Sequence, residues 1–148
     1  MRTFISLIFS VQLLMAQAGK PTVAILDFEG QGVSDGEVQT LSERMRTEIG
    51  NTNAVRLIER KAVEKIMQEQ GLQQSGCTSD ECAAEVGQLL GVQFMISGSI
   101  GKMGKSYTID CKMFSVETGE TVRSKNATHD GDISGLLTEM QIMAWEIV

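Results

Sequence analysis

Only one histidine and three cysteines occur in the 148 residues. Beyond Cys77 and Cys82 the only other soft ligands are Cys111 and His129, a thin supply for a zinc site. The scattered Asp and Glu residues show no calcium-loop spacing. No serine or cysteine stands beside His129 in sequence, so no nucleophile–base pair is visible. Basic runs are absent and the formal charge is −6 at pH 7, which argues against nucleic acid and anionic membranes as partners. No apolar run reaches the roughly 20 residues of a membrane-spanning helix. There is no linker, internal repeat or low-complexity segment. These absences leave one acidic domain with no expected catalytic residue, cofactor or metal, and no direct membrane insertion.

What is present begins with an export signal. Arg2 supplies a positive start, residues 4–15 an apolar middle, and Ala16-Gln17-Ala18 an A-x-A cleavage site. Residues 1–18 are therefore expected to be a signal peptide, and residues 19–148 a mature α/β domain large enough for its own core. No cysteine follows the cleavage site, so a bacterial lipoprotein signal is not expected. Export implies an oxidising compartment, where disulfides persist.

Val23-Ala24-Ile25-Leu26 reads as a buried strand ending at Asp27-Phe28, and residues 29–36 as a glycine-rich turn. Ser34 and Glu37 form a capping box. It opens a helix with Val38, Leu41, Met45 and Ile49 on one face, ended by Gly50 and Asn51. Residues 55–58 read as a second strand. Glu59-Arg60 leads into a helix carrying Ala62, Val63, Ile66 and Met67, stopped near Gly71. After a loop over residues 73–78, Thr78 and Glu81 make a second capping box, and Ala83, Val86, Leu89 and Leu90 recur at helical spacing up to Gly91.

The run from Val92 to Ile96 is the most apolar strand, as expected where both faces are covered. Gly98 marks a bulge or a close backbone approach. Beyond it the period falls to two. Gly104-Lys105 reads as a hairpin turn before a strand over 107–115, in which Tyr107, Ile109, Cys111 and Met113 share a face. Residues 117–120 form a second turn before a strand over 121–127. Ile133, Leu136, Leu137, Met140, Met143, Ala144 and Ile147 stripe the last helix. The order β-α-β-α-α-β-β-β-α predicts a single α/β domain, a mixed sheet with helices packed on it. Most methionines sit on these stripes or in the signal, as core filler.

Cys77 and Cys82 flank a helix start in a C-x-x-x-x-C spacing. A structural disulfide there would close a very short loop and stabilise by about 2 kcal/mol in the chain-entropy account. A metal pair, a redox pair and two free thiols are the rival readings; redox enzymes favour C-x-x-C. Cys111, left over on a strand face, is expected to be a buried inert thiol.

Two phosphate-binding look-alikes fail on spacing. Gly30-x-Gly32-x-x-x-Gly36 departs by one residue from a dinucleotide fingerprint, and Asp27 and Glu29 place negative charge where a pyrophosphate would lie. Gly104-Lys105-Ser106 would need a glycine where Ser99 stands, and it precedes a strand rather than a helix. Asn126-Ala127-Thr128 matches the glycosylation pattern, but a chance match is the simpler reading.

Val23-Ala24-Ile25-Leu26-Asp27-Phe28, then Leu57-Ile58-Glu59-Arg60, then Leu89-Leu90-Gly91-Val92 with Phe94-Met95-Ile96-Ser97-Gly98-Ser99-Ile100, and finally Glu117-Thr118-Gly119-Glu120 occur in this order. Together they resemble the periplasmic α/β domain of the curli production assembly/transport family (CsgG). The N-terminal domain of TolB and the penicillin-binding-protein activator LpoB are similar in architecture. The resemblance implies a cell-envelope protein that binds envelope or secretion proteins, or copies of itself, and is not an enzyme. It brings no catalytic residues. The chain has no pair of long insertions with alternating apolar residues, which a membrane barrel would need, so the soluble domain is what carries over. The expected function is a periplasmic interaction domain in envelope assembly or secretion. An oligomeric subunit of a curli-like outer-membrane channel and a thiol-disulfide enzyme using Cys77 and Cys82 are the alternatives.

Overall fold

A computed structural model describes residues 19–72, residue 77 and residues 79–148. The expected signal peptide, residues 73–76 of the loop, and Thr78 with its expected cap all lie outside the described residues.

The apolar run that begins the domain forms β1 (Thr22–Ile25). Val23 and Ile25 enter one core cluster, Ala24 and Leu26 another, so both faces of the strand are buried. β1 lies parallel between β3 (Arg56–Leu57) and β4 (Phe94–Met103). β5 (Ser106–Ser115) and β6 (Thr121–Asp130) extend the sheet antiparallel, in the order β3-β1-β4-β5-β6. The two-residue turn at Gly104-Lys105, with Gly104 at φ 61°, fixes the β4–β5 register.

One segment departs from expectation. Residues 29–36 read as a turn, yet Glu29–Gln31 forms β2, which pairs parallel with β4 beyond β1. β1 and β2 are thus two pieces of one track along β4. Between them, Leu26 N–H still donates to Ile96 O at 3.0 Å. The Phe28 N–H turns away and donates to the Ser42 hydroxyl at 2.9 Å, while that hydroxyl donates to Val38 O at 2.8 Å. The detour seats the Phe28 ring over Gly98: a Cβ on Gly98 would lie 2.6 Å from the ring and 2.4 Å from Asp110 O. Gly98 therefore marks a close approach, and β4 runs through it for ten residues.

α1 (Asp35–Thr52) carries the expected capping box, Ser34 with Glu37, and ends with Asn53 in the left-handed region. It packs with α4 (Leu136–Ile147) on one face of the sheet, through Val38, Leu41, Met45, Ile49, Met140 and Met143 among others. A 3-10 turn (Ile133–Gly135) capped by Asp132 precedes α4. α2 (Arg60–Glu69) and α3 (Asp80–Leu90) cover the other face through Val63, Met67, Ala83 and Val86. Ser79 caps α3, its hydroxyl accepting from Cys82 N–H at 3.1 Å. Gly91 closes α3 at φ 68°. The fold is the expected single α/β domain with a mixed sheet; among the described residues six strands form the sheet and four helices pack on it.

Candidate functional site

In open α/β sheets ligands favour the carboxyl ends of strands where successive crossovers leave to opposite faces. Here that point lies between β1 and β3, since α1 follows β1 on one face and α2 follows β3 on the other. The crevice is filled by ion pairs. Asp27 accepts from Arg46 at 2.5 Å and from Arg60 at 2.8 Å. Arg46 also donates to Ile25 O at 3.2 Å and pairs with Glu43 at 2.8 Å. Arg60 reaches Glu43 and Glu64, each at 3.2 Å. Burial pushes the Asp27 carboxyl up, but hydrogen bonds and charge from Arg60 and Arg46 outweigh it and hold Asp27 below the usual carboxylate range. Asp27 and Arg60, from two motifs far apart in sequence, thus meet as a pin between β1 and α2, with Arg46 tying in α1.

The glycines after β1 have packing roles. A Cβ on Gly30 would lie 2.6 Å from Val38 Cγ2, and Gly32 takes φ 72°. Lys105 stands in the β4–β5 turn, away from any helix start. His129 lies on β6 and not in a loop: its ring covers Gly135 and its Nε2 is 3.0 Å from Asp132 O. Among the described residues, no three His, Cys, Asp or Glu side chains cluster as a metal group would require.

Cys77 and Cys82 sit with Cα atoms 5.4 Å apart and their sulfurs at bonding distance. Cys77 is buried at the edge of the α2–α3 core and Cys82 is half-buried in the first turn of α3. Cys111 is buried, and burial pushes its thiol up to about 12, which leaves it protonated and inert.

The accessible feature is the face of the sheet that α2 and α3 do not reach. Helices α1 and α4 cover the side bearing Ile109, Cys111 and Met113. The opposite side of β4, β5 and β6 carries polar residues in register. Glu29, Ser99, Asp110 and Asn126 form one row across β2, β4, β5 and β6; Ser97, Lys112 and Ser124 form the next. Leu26, Cys77 and Ser79 wall this face on one side, making a cavity of about 230 Å³. Lys112 reaches across its mouth to Asp80 at 2.5 Å. The apolar alternation in β5 has a polar complement in sequence, Thr108, Asp110 and Lys112. That complement was the available signal.

A small α/β domain that presents a polar surface groove is the class that fold and site define. Within that class, the chain belongs to the LpoB family: the family model described as "Peptidoglycan-synthase activator LpoB" matches residues 5–128. No curated protein matches the chain. Among solved structures, the LpoB C-terminal domain from Escherichia coli is similar at 14% identity and TM-score 0.64, over 82% of this chain and 93% of that one. Lipoprotein GNA1162 from Neisseria meningitidis is similar at 9% identity and TM-score 0.66, over 83% and 94%. The PelC dodecamer from Paraburkholderia phytofirmans is similar at 13% identity and TM-score 0.58, over 86% and 88%. At these identities the likeness shows the fold alone. The family is thus the activator named above as similar in architecture, and nothing found supports the curli family specifically. A family that activates peptidoglycan synthase fits the coarser expectation of a protein-binding envelope domain.

Proposed function

We propose that this protein is a non-enzymatic activator that binds a peptidoglycan synthase in the periplasm. The observation that carries the reading is the family match over most of the chain. The site agrees with it: the groove holds polar side chains arranged for contact, and the crevice at the strand ends is closed by Asp27, Arg46 and Arg60. Residues 1–18 act as the export signal and residues 19–148 as the mature domain. No helix among the described residues is long and apolar enough to cross a membrane. Cys77 and Cys82 serve as a structural disulfide that ties the start of α3 to the preceding loop; the burial of Cys77 works against a thiol-disulfide enzyme, which needs an accessible thiolate.

The test adds the purified mature domain to a bifunctional peptidoglycan synthase of the same cell and follows glycan polymerisation. A saturable rise in rate is expected; an unchanged rate and no complex would refute the reading. A second reading, an oligomeric subunit of an envelope export assembly of the curli-like kind, draws on the PelC dodecamer, whose fold is similar. Sedimentation separates the two: a defined ring-sized species favours the oligomer, and a monomer removes it.

A further inference from the structure

We propose that the open sheet face docks a basic segment of the partner protein, with an arginine or lysine side chain settling over Ser99 between Glu29 and Asp110. The inference rests on the activator reading and adds to it a surface and a chemistry.

The register carries it. Glu29, Ser99 and Asp110 are direct neighbours on β2, β4 and β5, so their side chains leave the sheet on one face. Glu29 and Asp110 therefore stand about 10 Å apart, two strand spacings, with only a serine hydroxyl between them. A guanidinium or ammonium over Ser99 is within reach of both carboxylates and can donate to the hydroxyl as well. The next row has Gly101 between Gln31 and Thr108, and the Thr108 hydroxyl, 3.0 Å from where a Cβ on Gly101 would stand, offers a further acceptor beside Ser99.

The charge on this face is unbalanced. Asp27 faces the same cavity but already holds Arg46 and Arg60. The ammonium of Lys112 is taken by Asp80. Among the described residues no salt bridge reaches Glu29 or Asp110. Lys102, the next basic residue along β4, leans over the Tyr107 ring instead. An antiparallel sheet often leaves one face to water. This face differs in being walled by Leu26, Cys77 and Ser79 and in carrying carboxylates of one sign, which favours a cationic partner over an acidic one.

Two arms test it. In the first, the mature domain binds the synthase, and Glu29→Gln/Asp110→Asn is compared with Glu117→Gln/Glu120→Gln, which removes the same charge from the β5–β6 turn. The open-face pair is expected to weaken binding at least ten-fold and to flatten its salt dependence, with the turn pair within two-fold of the parent. Equal affinity for all three proteins overturns the proposal while leaving the activator reading intact. In the second arm, acetylated tetra-arginine amide is titrated into the labelled domain and amide shifts are recorded. Shifts gathered at residues 29–31, 97–101 and 108–112, and abolished by the open-face pair, support the proposal even if no synthase binds. Shifts gathered on α2 and α3, or spread over the whole acidic surface, overturn it. Melting curves of both variants confirm that each stays folded.

Discussion

In β1 and the residue after it, Val23, Ala24, Ile25 and Leu26 are all buried, whereas in β6 not one of ten residues is. The two strands mark the two halves of one sheet. Where β1 runs between β3 and β4, Val23, Ala24 and Ile25 meet helices on one side or the other, and the polar groups beside them, Ser42 and Asp27, have partners. In the antiparallel half only one face meets helices, and the other carries serine, threonine and charge. The difference separates duties. Substitutions around β1 act on stability, while the open face of β2, β4, β5 and β6 is free to be chosen for contact.

The sharpest way to break this comparison is at the join. Gly98→Val places atoms where Asp110 O and the Phe28 ring already lie. Neither backbone nor a packed ring moves cheaply, so a loss of about 3 kcal/mol or more is expected in urea unfolding. A near-neutral result would show that the detour around Phe28 is loose.

Asp27→Asn leaves Arg46, only 7% exposed at its side chain, without its closest anion. A loss of about 2–3 kcal/mol is expected, at the lower end for buried pairs because Asp27 is itself partly exposed. The same pair sets a pH dependence. The folded carboxyl sits below its ordinary value of 3.8, so its contribution is present above that value and is lost as pH falls through the folded value. Unfolding measured from pH 6 down to pH 2.5 should show the parent losing stability below about pH 4 more steeply than Asp27→Asn. Parallel profiles would remove Asp27 from the account.

Replacing Cys77 and Cys82 with serine should cost about 2 kcal/mol and raise hydrogen exchange at the start of α3. The open face beyond its wall should keep its amide spectrum; a spectrum disturbed throughout β5 and β6 would show the halves to be coupled. At the small end, Ser124→Ala and Asn126→Ala should change stability by no more than about 0.5 kcal/mol, since both are exposed and away from the core. A loss above about 1 kcal/mol in either would mean that the open face also holds the fold together.

The parallel half was the more legible in sequence because burial on both faces writes an unbroken apolar run, and helix caps write short polar signatures. Val23-Ala24-Ile25-Leu26 and the Ser34–Glu37 box were readable for that reason. β2 was not, because Gly30 and Gly32 look like turn residues until Val38 is seen pressed against the chain. Ser79 as the cap of α3 was not read, because serine and threonine are equally good caps and only backbone geometry selects the residue that serves. The strand-end pin was visible only as motifs, since nothing in sequence says that Asp27 meets Arg60. The open face was half-legible: the alternation in β5 was plain, but which carboxylates become neighbours depends on the pairing of β2 with β4.

The most direct test of this division is hydrogen–deuterium exchange of residues 19–148 alone and with a peptidoglycan synthase, the proposed partner. The account predicts added protection in β2 and β6 and around residues 97–101, with α1 and α4 unchanged. Protection confined to α1 and α4, or no change anywhere, would contradict it.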